Sequence, residues 1–324
     1  MTRDRIDVHA HYAGGVVAQR LRDTALAGGF RVSPWSVDAA LAFVDRHDIA
    51  TQILSLPLEW LPTTGPADAV RTARLVNEAY AELISAHPGR FGAFATLPMN
   101  SVDAALAEVE HALDTLTLDG VVLGTNTSGK YFGHPFLEPI LAELGRRKTP
   151  IFVHPAECPH IDVLGFGRPS SVIEFPLDTA RTMTNAIYSG VFQRYPTLTV
   201  ILAHAGGALP SLGWRIAEHA RVKRGPDDAD IGPGHVGEAL RNVYYDTALA
   251  GNPHSLLPTL QVTTPDHVLF GTDWPAAPEA TVHRNNENLV SFQEVADSDL
   301  SGVDRANAVR LFPRLGPRAR PLSD

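Results

Sequence analysis

Cysteine is almost missing from this 324-residue chain. Cys158 stands alone, so no internal disulfide can form, and a single thiol suits a reducing compartment. Lysine is nearly as scarce, with Lys130, Lys148 and Lys223 far apart. At a net charge of -9, the chain lacks the clustered cations that a phosphate backbone requires, which argues against nucleic acid as a partner. Arg314, Arg318 and Arg320 form a short, proline-broken run that reads as a solvated tail. Long apolar runs are missing too. No segment approaches ~18 uninterrupted apolar residues, so no membrane-spanning helix is expected. The amino terminus, MTRDRIDVHAH, has no apolar stretch of the signal-peptide kind, and the expected location is the cytoplasm. No glycine loop of the nucleotide-binding spacing follows a strand pattern, since TALAGN and AHAGGA both lack it. Neither an internal repeat nor a low-complexity linker divides the chain, so residues 1–324 are expected to form one domain.

What is present is a chain that can bury a large core, 44% hydrophobic and 19% charged. Short apolar runs alternate with longer helical patterns. The runs at 5–12, 50–57, 91–98, 119–126, 150–155, 199–205, 242–248 and 267–274 are brief and mostly rich in β-branched or aromatic residues, as buried parallel strands are. Helical patterns fill 67–87, 102–116, 136–147 and 178–194, and Ser101 is placed to cap the second of these. Strands alternating with helices imply a parallel sheet. Eight of them imply a closed α/β (TIM) barrel. The segments 156–176 and 222–235 are expected to be loops. The first follows the fifth strand and would lie over the catalytic face.

The chemistry gathers at the predicted strand ends. In His9-Ala10-His11 the alternation of a strand turns both imidazoles to one face. His154 ends the fifth strand (IFVHP), His204 the sixth (VILAHAGG) and Asp273 the eighth (LFGTDWP). Barrel enzymes place catalysis at these C-terminal ends. Any one such residue could be a hydrogen-bonded strand terminus, but five together point to a metal centre. Three imidazoles and a carboxylate suit Zn2+ with an open position, and Mn2+ is compatible. His204 could serve as a ligand or as a base.

The stretches IDVHAHY, FVHP, LAHAGGALPSLGWR and FGTDWP resemble the amidohydrolase-related decarboxylases. That family includes aminocarboxymuconate semialdehyde, γ-resorcylate and 5-carboxyvanillate decarboxylases. The likeness runs from about residue 5 to the closing ANAVRLFPRL. RFGAFATLP, ALDTLTLDGVVL, KYFGHPFLEPILAELGRR and EFPLDTAR are most similar to the 6-methylsalicylate decarboxylase branch. The resemblance implies that His9, His11, His154 and Asp273 bind the metal and that His204 moves protons. It implies a homodimer in which Arg215 meets a substrate carboxylate across the interface. The fourth strand ends VVLGTN, without the lysine that bridges two metals in related barrels, so one metal ion is expected. The implied activity is loss of CO2 from a small aromatic carboxylate after Asp273 or His204 protonates the ring carbon bearing it. The alternative is hydrolysis of a lactone or amide by activated water. A barrel that binds metal without catalysis is a third reading, which the complete set of ligand and base candidates opposes.

Further residues have two readings each. Trp274, beside Asp273, and Tyr12 could meet a substrate ring or simply pack at the barrel mouth. Phe175 and Arg181 could line the pocket beyond the fifth strand, Arg181 gripping a carboxylate or forming an ion pair on its helix. WPAAP follows Asp273 where relatives more often carry Tyr or Phe before proline, a departure that bears on the ring pocket. Asp7 continues the face of His9 and His11 and could support them. Cys158 is expected to be a loop cysteine.

Overall fold

Eight short parallel strands form one sheet in which every strand pairs with the next along the chain. They are β1 (Arg5–His11), β2 (Ile49–Ser55), β3 (Phe91–Thr96), β4 (Gly120–Gly124), β5 (Pro150–His154), β6 (Thr199–Leu202), β7 (Tyr244–Asp246) and β8 (Val268–Leu269). The computed structural model describes residues 4–18, 35–61, 63–222, 229–292 and 297–316. Residues 1–3, Lys223, Arg318 and Arg320 lie outside the described residues. The segment after β8 returns to β1. Val8 N donates to Phe270 O (2.9 Å), Asp273 N to His9 O (2.7 Å) and His11 N to Trp274 O (2.8 Å). These bonds close the sheet as the expected barrel.

Helices follow the strands: α1 (Val37–Arg46), α2 (Pro66–Ala86), α3 (Val102–Glu110), α4 (Glu138–Arg147), α5 (Glu174–Tyr188) and α6 (Leu209–His219), with others later in the chain. Ser101 caps α3 as expected, accepting from Ala104 N. The expected helix at 102–116 is α-helical only to Glu110 and then widens into a π turn over His111–Thr115. The pattern at 178–194 belongs to a helix that begins earlier, at Glu174, and ends at Tyr188. Gly190, at φ 74, then lets the chain restart as a short turn, because only glycine takes that conformation freely. The 156–176 loop carries a short helix at Ile161–Leu164.

Ile53, Phe94, Val122, Phe152 and Ile201 come from five adjacent strands and form one core cluster, with Phe312 and Leu315 packed against them. A larger cluster joins the strands to the helices. Several predicted strands overrun their C-terminal ends, most of all 199–205 and 267–274. The physical reason is that the chain leaves the ladder there to turn toward the barrel mouth. His204 therefore lies in a turn past β6, and Asp273 lies beyond β8.

Candidate active site

The alternation expected in β1 is broken once. Asp7 pairs with Gln52 and Ala10 with Leu54, three steps against two, so β1 carries a bulge before the histidines end it. Asp7 therefore does not simply continue their face. It accepts from Gln52 Nε2 (3.0 Å) and from the backbone and hydroxyl of Thr272 (3.0 and 2.6 Å). Burial pushes its carboxyl up to about 6, with those bonds pulling the other way. His9 and His11 themselves converge, their Nε2 atoms 3.2 Å apart.

Each of the four histidines is anchored through Nδ1. His9 meets Asp246 Oδ2 at 2.7 Å and His11 meets Ser55 Oγ at 3.1 Å. His154 meets its neighbour's carbonyl, Pro155 O, at 3.0 Å, and His204 meets Ala248 O at 3.0 Å. In a neutral ring, as a metal ligand must be, such an acceptor fixes the tautomer with its proton on Nδ1 and leaves Nε2 as a lone pair. His154 Nε2 is buried and has no hydrogen-bond partner among the described residues, a costly state for a polar atom unless something binds there. Asp273 Oδ1 lies 3.0 Å from His11 Nε2 and 3.3 Å from His9 Nε2. Ligand atoms of His9, His154, His204 and Asp273 all lie within 4.8 Å of one another. Imidazole nitrogens, one carboxylate and an orphaned lone pair fit a divalent cation. The five predicted residues meet at one place, but the group of four whose ligand atoms lie together includes His204 and leaves out His11, which reaches the cluster through Asp273 Oδ1 and His9 Nε2.

The electrostatics fit the same purpose. Burial would lower His9, but Asp246 and then Asp273 outweigh it and hold the imidazole near 10. Burial lowers His11 against its bond to Asp273. Burial, then the neighbouring histidines, take His154 well below its ordinary value. Burial would raise Asp273, yet its bonds to His11 and His9 keep it well below the usual carboxylate range. A cluster that holds carboxylate charge and withholds protons from His154 is prepared for a metal ion.

Asp246 was not foreseen. It ends β7 and also accepts from the backbone of His204 and Ala248, at 2.9 Å each. The motif YYDTA carried the same signal as LFGTDWP, an acid at a strand end. Gly271 lets these parts meet, since a Cβ there would stand 2.9 Å from His9 Cβ and 3.3 Å from Asp246 Cβ. His204 and Asp273 both adopt left-handed backbone, at φ 55 and 64, a local strain typical of functional sites.

A cavity of about 670 Å³ opens above His154, His204 and Asp273. Trp60, Phe175 and Leu249 give it apolar walls. Trp60, also unforeseen, packs 4.6 Å from the His11 ring and 4.9 Å from that of His154. Of the expected substrate contacts, Phe175 lines the cavity. Tyr12 packs instead on Trp35 and Tyr80, and Trp274 stacks on Phe43 at 4.7 Å. Arg181 pairs with Asp178 (3.4 Å) and Glu174 (3.7 Å) along α5. Arg215 is exposed on α6. Cys158 is buried and donates to Glu174 at 3.3 Å.

Among known proteins, the chain is 33% identical over 317 residues to the 6-methylsalicylic acid decarboxylase of Penicillium expansum, covering 96% of this chain and 97% of that protein. A crystal structure described as an amidohydrolase II superposes with a TM-score of 0.87 at 28% identity, over 95% of this chain and 99% of that one. The 5-carboxyvanillate decarboxylase of Novosphingobium aromaticivorans, crystallised with manganese, superposes with a TM-score of 0.81 over 97% of this chain and 99% of its own. At 20% identity that likeness speaks for the fold alone. The family model for amidohydrolases matches residues 6–314, and with that span, this barrel and this likeness the chain belongs to the amidohydrolase family.

Proposed function

We propose that this chain is a metal-dependent, non-oxidative decarboxylase of a small hydroxybenzoate such as 6-methylsalicylate. The observation that carries the reading is the histidine–aspartate cluster with its orphaned His154 Nε2, opening into an apolar cavity. It occurs in a chain similar along its length to a 6-methylsalicylic acid decarboxylase. The reading assigns His9, His11, His154 and Asp273 to one divalent ion, with Zn2+ preferred for the imidazole-rich donors. Mn2+ is the alternative, in line with the manganese bound by a protein of the same fold. When bound, that ion supplies a positive centre for the carboxylate and ring oxygen of the substrate.

The chain's own residues do the rest. Trp60 and Phe175 line the cavity and offer apolar surface to a flat ring. His204, or Asp273, both at the cavity floor, delivers a proton to the ring carbon that bears the carboxylate. The bond to CO2 then breaks, its electron pair restores the aromatic ring, and the donor regains a proton from solvent. Direct loss of CO2 would leave an aryl carbanion, which this order avoids. Asp246 orients His9 and holds the His204 backbone, so it positions both the metal site and the donor.

Hydrolysis of a lactone or amide is the alternative, which the 33% identity to a decarboxylase over 96% of the chain opposes. We further infer that the chain works as one domain, in a reducing cytoplasm that suits its single cysteine, and as a homodimer. No helix among the described residues is long and apolar enough to cross a membrane. Beside the exposed Arg215, Trp214 is 76% exposed, and Phe166 beyond β5 is 84% exposed. The homodimer reading would cover these exposed rings. Arg215, Arg181, Tyr12 and Trp274 remain proposed substrate contacts. The deciding experiment incubates metal-loaded enzyme with 2-hydroxybenzoates and with lactones. Release of CO2 and a phenol is expected, whereas a ring-opened acid without CO2 would overturn the reading.

A further inference from the structure

The cavity receives an anion, yet among the described residues neither Arg nor Lys lines it. Its charged lining beyond the histidine–aspartate cluster is acidic, Glu59 and Glu157. Glu157 already accepts from Ser170 Oγ at 3.0 Å. Glu59 has no ion pair among the described residues.

Glu59 is held in place by the fold. It sits in the turn Leu58–Trp60 after β2, beside the Trp60 ring that covers His11 and His154. Its carboxyl lies over Gly124, the last residue of β4. A Cβ on Gly124 would stand 3.3 Å from Glu59 Cδ and Oε1. Gly124 in turn pairs with His154 across the sheet. The missing side chain at the end of the fourth strand is therefore the space that Glu59 occupies. Glu59 is exposed to water at the cavity wall, and the protein atoms crowded beside its carboxyl push it above the ordinary range, against hydrogen bonds from its own backbone and Thr127.

We propose that Glu59 determines charge specificity: it admits aromatic acids bearing a single carboxylate, seated at the histidine–aspartate cluster, and refuses a second carboxylate elsewhere on the ring. The warrant is repulsion at short range from a carboxylate that the fold holds at the cavity wall, with no Arg or Lys among the described lining residues to offset it. A neutral substituent such as methyl or hydroxyl meets no such barrier, and a hydroxyl could donate to Glu59. This inference rests on the decarboxylase reading for its choice of ligands, but its test does not need turnover.

The test is equilibrium binding by calorimetry to the metal-loaded protein, with salicylate against 4-hydroxyisophthalate and 2-hydroxyterephthalate. Like charges brought together cost several kcal/mol, so the wild type should prefer salicylate on the order of 100-fold. Glu59→Gln, which keeps the shape, should narrow the ratio by on the order of 10-fold. Glu157→Gln should narrow it less. Thermal unfolding checks that each variant is folded, and Glu59→Ala repeats the measurement should the glutamine variant not fold. Wild-type protein that binds the dicarboxylates as well as salicylate would overturn the proposal, including by way of Arg215 reaching in from a second copy. A ratio unmoved by Glu59→Gln, or moved more by Glu157→Gln, would overturn it too. Absence of CO2 release from every hydroxybenzoate, with the binding ratio and its dependence on Glu59 intact, would instead sink the decarboxylase reading alone.

Discussion

The two ends of the barrel are made from the same strands and built to opposite rules. At the amino-terminal end, Phe312 and Leu315 pack on the strand interior, and Phe94 meets Phe312 ring to ring at 5.7 Å. A buried charge pair there is matched, Arg5 to Asp304 at 3.0 Å. At the carboxyl-terminal end the chain leaves regular strand early and holds His204 and Asp273 in left-handed backbone. It leaves His154 Nε2 without a hydrogen-bond partner among the described residues. One end is optimised for burial. Left-handed residues also lead into the strands at the first end, Asp4 and Asp48 among them, so what sets the mouth apart is that it gathers ligand-type side chains, with a lone pair left over, where chemistry needs them.

The sharpest way to break that contrast is at Asp273. Asp273→Ala should lower CO2 release by on the order of 1000-fold while leaving the thermal midpoint near that of the wild type. Steady-state kinetics with calorimetry on the same sample read both. A variant that decarboxylates at near-normal rate would remove the mouth of the barrel as the site of chemistry. The mirror experiment is Phe312→Ala at the opposite end. Deleting a phenylalanine from a packed core costs about 3–5 kcal/mol, and Phe312 is only 2% exposed. Denaturant unfolding should show that loss, with activity per folded molecule retained. Loss of activity without loss of stability would mean the two ends are not separable.

The contrast also explains what the sequence could reveal. His9, His11, His154, His204 and Asp273 were legible because polar residues closing apolar runs break the pattern of a buried strand. The eight strands were legible for the same reason, in reverse. Asp246 obeyed the rule and was passed over, because β7 shows only three residues of strand and its acid is followed by no second signal. Glu59 and Trp60 were not legible. They lie in a turn whose position over β4 and β5 is set by the tertiary fold, and no local period marks it. Trp274 had two readings, a ring contact or packing at the barrel mouth, and its stacking on Phe43 follows the second. Arg181 was better described by the plainer expectation of a helix ion pair than by the sharper one.

Asp246 offers a finer cut, between holding a ligand and being one. Asp246→Asn keeps the shape but weakens the bond to His9 Nδ1. Partners of this kind contribute about 10–100-fold in metal affinity. Competition with a metal-sensitive dye should show weaker binding, and excess metal should restore much of the activity. Failure of excess metal to restore it would place Asp246 in the reaction itself.

The smallest effect lies at neither end and gives the baseline against which both are judged. On α4, Glu143 accepts from Arg146 (2.8 and 2.7 Å) and Arg147, and these bonds hold its carboxyl down at about 2, from an ordinary 4.5. The folded chain thus binds this proton less readily than the unfolded chain. The resulting stability is present in full above pH 4.5 and is lost as pH falls from there toward 2. The groups are solvent-facing, so screening limits the contribution to under about 1 kcal/mol. Glu143→Gln should flatten the acid limb of the stability curve slightly and leave neutral-pH activity alone, as unfolding midpoints taken across that range would show. An effect as large as that of Phe312→Ala would mean that the helical shell, and not the packed end of the barrel, sets the stability of the fold.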